Sequence, residues 1–141
     1  MFKKIIVAVD LSEINLAKPA LDNAIALATQ SGGTLRLVNV QTLLPATFMD
    51  YVPADFDQQM KDNADASLRK LADDVGLPKD RVSCVVRVGG VYPEILAEAD
   101  EAAADLIVVG SHRPAMSTYL LGSNAKTIVR HAKCSVLVVR V

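Results

Sequence analysis

The residues best suited to chemistry lie between Val108 and Ala125, in the run Val-Val-Gly-Ser-His-Arg-Pro-Ala-Met-Ser-Thr-Tyr-Leu-Leu-Gly-Ser-Asn-Ala. This stretch leaves an apolar strand at Gly110, crosses a short loop, and re-enters regular structure at Gly122-Ser123-Asn124. A glycine at each end lets backbone N–H groups approach a ligand closely. A helix starting at Ser123 and Asn124 adds unpaired donors and the positive end of a dipole, which suits phosphate. An ordinary helix cap would use the same residues; the second glycine, at the adjacent strand end, favours an anion, with nucleotide phosphate the leading case. Within the loop, Arg113 offers a charged donor to phosphate. His112 offers a weaker donor, or holds the loop by hydrogen bonds, and Pro114 stiffens the loop after Arg113.

Asp10 ends the first apolar run. A carboxylate at such a strand end can accept hydrogen bonds from ribose hydroxyls or lie near a metal. It can equally serve as a turn or helix-capping aspartate. Arg130 and His131 close the last helix, where cations complement the dipole, and carry no catalytic role. Other signals fail on context. No Gly-x-x-x-x-Gly-Lys-Ser/Thr or Gly-x-Gly-x-x-Gly loop is present. Ser31-Gly32-Gly33-Thr34 follows a helix and not the first strand, so it is not a phosphate loop. Ser117 and Ser123 lack partners at nucleophile-elbow spacing. Met49, Met60 and Met116 read as packing residues.

The elements that must position these groups alternate along the chain. Lys3–Asp10 is a nearly continuous apolar run, the pattern of a strand buried on both faces. Asn15 or Ser12 caps a helix whose apolar residues recur at helical spacing from Leu16 to Ala28, closed by Ser31-Gly32-Gly33. Thr34–Val40 is the second strand. Gln41–Pro53, the longest connection, reads as a flexible lid. Next come a helix from Asp55 to about Val75, a strand over Arg81–Val88 and a helix from about Pro93 to Ala104. The chain closes with a strand at Asp105–Gly110, a helix at Gly122–Ala132 and a strand at Ser135–Val141. Strands separated by helices imply parallel pairing with right-handed crossovers, hence a doubly wound α/β sheet. Such sheets take ligands outside the carboxyl ends of strands, where the strand order reverses. The ends that would line that crevice are Ala8, Val9 and Asp10, then Val40, then Val109 and Gly110.

Composition narrows the class. The chain has 141 residues, 51% hydrophobic, enough for one domain with a sizeable core. Apolar runs are strand-length, far short of a membrane span, and no signal peptide is read at the N-terminus. A net charge of −1 without a like-charge block gives no electrostatic case for nucleic acid as a partner. The two cysteines, Cys84 and Cys134, lack metal or redox spacing, which fits a cytoplasmic protein with reduced thiols; a disulfide between them is the lesser alternative. The last strand is apolar on both faces. Pairing with a second copy would cover it, as would the flanking helices alone.

These residues resemble the universal stress protein family over the whole chain. Its nucleotide-binding members carry Gly-x2-Gly-x9-Gly-Ser/Thr between the fourth strand and last helix. Here Gly110-Ser111-His112 matches the first part and Gly122-Ser123 the last. The opening Ile-Ile-Val-Ala-Val-Asp-Leu-Ser from Ile5, Val-Arg-His-Ala at Val129–Ala132, and Ser-Val-Leu-Val-Val at Ser135–Val139 are similar to the family too. The resemblance implies a five-stranded parallel sheet of order 3-2-1-4-5 with helices on both faces, the adenine nucleotide alpha hydrolase-like fold. It also implies ATP, with or without Mg2+, as ligand. Position by position, Asp10 would hold the ribose or adenine side, with Ala8 and Val9 beside it touching the base. The backbone of Val40 would read adenine. Gly110, Gly122, Ser123 and Asn124 would hold ribose and phosphate, with Val109 among the nucleotide-binding residues and His112 and Arg113 in the loop. Two departures stand out. Arg113 replaces the middle glycine, and Gly110 and Gly122 enclose eleven residues, one short of the pattern. Arg113 therefore either substitutes a charged contact for N–H contacts or weakens the phosphate end.

The expectation is a dimeric, cytoplasmic, ATP-binding regulatory or stress-response protein, at most a slow ATPase. The alternative is a nucleotide-free interaction module of the same fold.

Overall fold

The computed structural model describes residues 1–42, 54–111 and 123–140. The strands are β1 (Lys4–Ala8), β2 (Thr34–Gln41), β3 (Val82–Val88), β4 (Leu106–Gly110) and β5 (Ser135–Val139). The helices between them are α1 (Ile14–Ser31), α2 (Phe56–Asp73), α3 (Val91–Glu101) and α4 (Ser123–His131). The strands form one parallel sheet in the order β3-β2-β1-β4-β5, as the resemblance implies.

The alternation of side chains along each strand divides the core in two. Ile5, Val7, Leu35, Leu37 and Val108 face α1 and α2, meeting Ala20, Leu21, Ala24 and Leu68. Ile6, Val38, Ile107 and Val109 face α3 and α4, meeting Ile95, Ala99, Ala125 and Ile128. Crossover handedness explains which helix lies where. From β1 to β2 to β3 the chain steps one way, so right-handed connections put α1 and α2 on one face. It then returns past β2 and β1 to β4, and the same hand puts α3 and α4 on the other.

Several boundaries differ from expectation. Neither Asn15 nor Ser12 caps α1. The Asp10 carboxylate acts one turn earlier, accepting from the Ser12 N–H (3.0 Å) and hydroxyl (2.6 Å) at the head of a 3-10 turn over Leu11–Glu13. The chain turns sharply as it leaves β1, so Asp10, two residues beyond the strand, is the first acceptor within reach of the free N–H groups. At its far end α1 closes on Gly32 in the left-handed conformation (φ +71°), as the sequence predicts. Arg81 sits in a 3-10 turn before β3, not in the strand; its guanidinium donates to the carbonyls of Ala28 (2.8 Å) and Gly33 (3.0 Å) at the end of α1. The helix expected from Pro93 begins at Val91, because proline in the first turn lacks only an N–H that has no intrahelical partner there. Met60 is exposed on α2 and packs into neither core. The expected lid lies, from residue 43 to Pro53, outside the described residues, as do Met49, Met116 and Val141.

Cys84 lies on β3 and Cys134 immediately before β5, the two opposite edges of the sheet. Four strand spacings separate them, on the order of 19 Å, whereas a disulfide needs Cα atoms within about 7 Å. The disulfide alternative is thus closed, and both are free thiols. Burial pushes the pKa of each upward, which keeps them protonated at neutral pH.

One charged cluster ties α3 to the β2–β3 edge. Glu98 is buried and receives the guanidinium of Arg36 (2.9 Å) from β2 and of Arg87 (2.8 Å) from β3. Arg87 also binds Glu94 and Glu101, each at 2.9 Å. Hydrogen bonds to Glu101 and Glu94 raise the Arg87 pKa further, so this guanidinium stays charged. Removing the buried carboxylate takes one ion-pair partner from each arginine, leaving Arg87 with Glu94 and Glu101 and Arg36 with the Ser83 hydroxyl. Glu98→Ala is expected to cost about 2–3 kcal/mol in urea unfolding at unchanged m-value. That is below the ~3–5 kcal/mol of a fully buried pair, because the Arg36 side chain is 40% exposed.

Candidate functional site

The strand order reverses between β1 and β4. Beyond β1 one connection leads to α1 on one face; beyond β4 the chain leads to α4 on the other. Nothing need cross the gap, and a cavity of about 600 Å³ opens there, within the size range of small-molecule sites. Its floor is the end of β1 with Ala8 and Val9. One wall is Asp10 and the first residues of α1; the other is Val109 and Gly110 with the start of α4. The end of β2 from Val38 to Gln41, with Thr42 just beyond it, closes the far end.

Eight of the residues singled out from sequence meet at this one cavity: Ala8, Val9, Asp10, Val40, Val109, Gly110, Ser123 and Asn124. His112, Arg113 and Gly122 lie outside the described residues. The structure also brings in residues that sequence reasoning missed. Asn39 and Gln41 line the cavity from β2, and Val91 and Ile95 from the first turns of α3. A polar Asn39 between Val38 and Val40 was the available signal for the first pair. The second pair had no local signal. α3 reaches the site because its crossover must pass back over the ends of β2 and β1.

Backbone groups dominate what the cavity offers. In a parallel strand a residue's N–H and C=O point to the same neighbour, and the side alternates along the chain. The Val38 carbonyl accepts from Val9 N–H (2.8 Å), while the Gln41 carbonyl accepts from Gly89 N–H (3.0 Å) on the β3 side. The backbone of Val40 therefore faces the β1 side, past the point where β1 has ended. At the other wall, the first N–H groups of α4 have no intrahelical acceptor. Among the described lining residues there is no lysine, arginine or histidine, so the positive potential on this wall comes from the helix terminus. Asp10 is exposed at the mouth, and both bonds it accepts from Ser12 fall on Oδ1. No group of three or more potential metal ligands occurs among the described residues, and no helix among them is long and apolar enough to cross a membrane.

Gly110 shows what the cavity excludes. Among the described residues a Cβ built there would meet the Leu16 carbonyl, at 4.0 Å, and the residue needs no positive φ. Packing against these residues does not require glycine at this point. Gly33 is the contrast, since a Cβ there would lie 2.6 Å from the Lys3 carbonyl oxygen.

Against known proteins, residues 1–140 match the universal stress protein family. The chain belongs to that family. It is 36% identical over 143 residues to universal stress protein G of Shigella flexneri, covering 99% of this chain and all of that relative. Among solved structures, universal stress protein UspA of Lactobacillus plantarum superposes with a TM-score of 0.79 at 22% identity, covering 99% of each chain. A universal stress protein solved in complex with cAMP superposes with a TM-score of 0.69 at 22% identity, covering 97% of each chain. At these identities the two structures establish the fold.

The two glycines give a direct check on the geometry. Gly110→Ala is expected to leave the melting temperature unchanged or slightly raised, since it removes unfolded-state entropy without a clash. Gly33→Ala should lower stability by about 1–3 kcal/mol, as overpacking against fixed backbone does. Calorimetry of the two variants beside the wild type reads both.

Proposed function

We propose that this universal stress protein binds an adenine nucleotide, ATP foremost, in the switch-point cavity, and uses it as a regulatory ligand. The observation that carries the reading is the convergence of three features on one cavity: the unoccluded glycine at Gly110, the start of α4, and the Val40 backbone beyond the end of β1. Phosphates would meet the N–H groups of α4 and the side chains of Ser123 and Asn124, joined by Gly122 and, from the loop, His112 and Arg113. Ribose hydroxyls would meet Asp10, whose Oδ2 side is not used by Ser12. The base would lie over Ala8 and Val9 with its polar edge toward Val40, and Val109 would flank it. Mg2+ would accompany the phosphates. cAMP, the ligand of the structural neighbour, is an adenine nucleotide and supports the class.

Saturating ligand at about 100-fold above Kd would stabilise the fold by roughly 2.7 kcal/mol. For a chain of this size that is a rise in melting temperature of about 5–10 °C. Millimolar ATP with magnesium should produce it, and protein denatured straight after purification should release adenine nucleotide on chromatography. In Gly110→Ala the shift should shrink while the ligand-free melting temperature does not fall. A ligand-free preparation whose melting temperature ATP does not move would favour the nucleotide-free interaction module instead.

The same reading includes a cytoplasmic homodimer through β5. Val136, Leu137, Val138 and Val139 are all only half-buried, and among the described residues β5 has a strand partner on one edge only. A two-fold pairing of this strand would cover both the side chains and the free backbone row. Sedimentation should therefore give twice the 15.1 kDa chain mass, and Val138→Lys should shift the protein to the monomer.

A further inference from the structure

At the end of the β1–β2 ladder a side chain stands where a backbone donor would. A parallel ladder that makes the bond Val9 N–H to Val38 C=O (2.8 Å) would next bond Val40 N–H to Val9 C=O. No such backbone bond joins Val40 to Val9. The Val9 carbonyl instead accepts from Asn39 Nδ2 at 2.8 Å. A carbonyl can only accept, so the Asn39 amide must turn its nitrogen to Val9 and its oxygen outward. That oxygen accepts from Gln41 Nε2 at 2.6 Å. Asn39 is 3% exposed, and both ends of its amide are satisfied by these protein partners. The Gln41 backbone is itself fixed to β3 through Gly89.

We propose that Asn39, braced by Gln41, is the positioning residue for base selectivity: it takes the Val9 carbonyl out of the ladder and so presents the Val40 N–H to the ligand's base, beside the Val40 C=O that the turn of the chain at Leu11 leaves open. The inference rests on the adenine-nucleotide reading above. A donor and an acceptor side by side on one strand edge complement adenine, which offers an acceptor at N1 and a donor at its 6-amino group. Guanine offers the reverse pair, a donor at N1 and an acceptor at O6, and would meet like against like. Asn39 touches neither base nor phosphate in this scheme; its effect passes through Val9 and Val40.

Two measurements on the full-length protein test this. The first needs no ligand. By amide hydrogen exchange, Val40 should exchange much faster than Val38. Equal protection of the two would show that the ladder continues and would overturn the proposal. The second is calorimetric titration with ATP, GTP and base-free ribose 5-phosphate. The wild type should prefer ATP over GTP by about tenfold or more, the scale of one or two well-placed hydrogen bonds. Asn39→Leu keeps nearly the size and removes the donor without adding a charge; it should narrow that preference to within about threefold while ribose 5-phosphate, which has no base to read, tracks the wild type. A folded Asn39→Leu that retains the wild-type preference overturns the proposal. Should that variant not fold, Gln41→Leu removes only the brace and should reduce the preference by about threefold; an unchanged ratio there is equally fatal. Wild-type protein that binds no ATP, yet shows the fast Val40 exchange, sinks the adenine-nucleotide reading and with it the base-selective role, while the ladder break itself stands.

Discussion

The cavity depends on a constraint of handedness. Right-handed crossovers place each connecting helix on a face determined by the direction of the step between strands. In this chain the direction reverses once, between β3 and β4, and the reversal leaves β1 and β4 as neighbours whose onward connections diverge. The open crevice is therefore a consequence of strand order, present before any side chain is chosen. The side chains then have to keep it open. Gly110 on one wall and the small Ala8 and Ala17 near the floor do this by omission.

The two faces of the sheet solve different problems. Toward α1 and α2 the strands bury an uninterrupted apolar set, and α1 is held at both ends by polar contacts: Asp10 below its first turn and Arg81 at its last carbonyls. Toward α3 and α4 the apolar set gives way at the β2–β3 side to Arg36, Arg87 and three glutamates of α3. This network is an anchor. α3 must travel from one edge strand across two others, and its first turns, Val91 and Ile95, form part of the cavity. Fixing its middle by Glu98 fixes where those turns stand. Stability and site geometry are thus coupled through a buried charge, whose worth lies less in net energy than in a single docked position for the helix.

Much of this was legible in the residues. Continuous apolar runs such as Ile5–Val9 and Leu106–Val109 announce strands buried on both faces, and Gly32 announces the end of α1 by the left-handed conformation it allows. The site residues at strand ends were legible because topology alone dictates that strand ends form the crevice. Boundaries were less so. Asp10, read as the end of a strand, is the acceptor of a 3-10 turn, because local hydrogen-bond geometry and not hydrophobic pattern decides where β1 stops. Arg81 looked like strand because it precedes Val82, yet its value is to α1, 48 residues away from its Gly33 acceptor. Val91 and Ile95 carried no mark of the site at all, since their role comes from a crossover that only the assembled sheet defines.

Asn39 shows where sequence reasoning and structure meet. By pattern it is an anomaly, a polar residue at a buried position between Val38 and Val40. Structure turns the anomaly into a cause: its amide substitutes for a backbone donor, and the substitution displaces a backbone group elsewhere. Sites built from main-chain N–H and C=O groups leave no direct trace in the residue types that present them, because any residue has the same backbone. Their trace lies one position away, in side chains that must stop a ladder or must be absent altogether. Here Asn39 stops the ladder, and Gly110 supplies the absence.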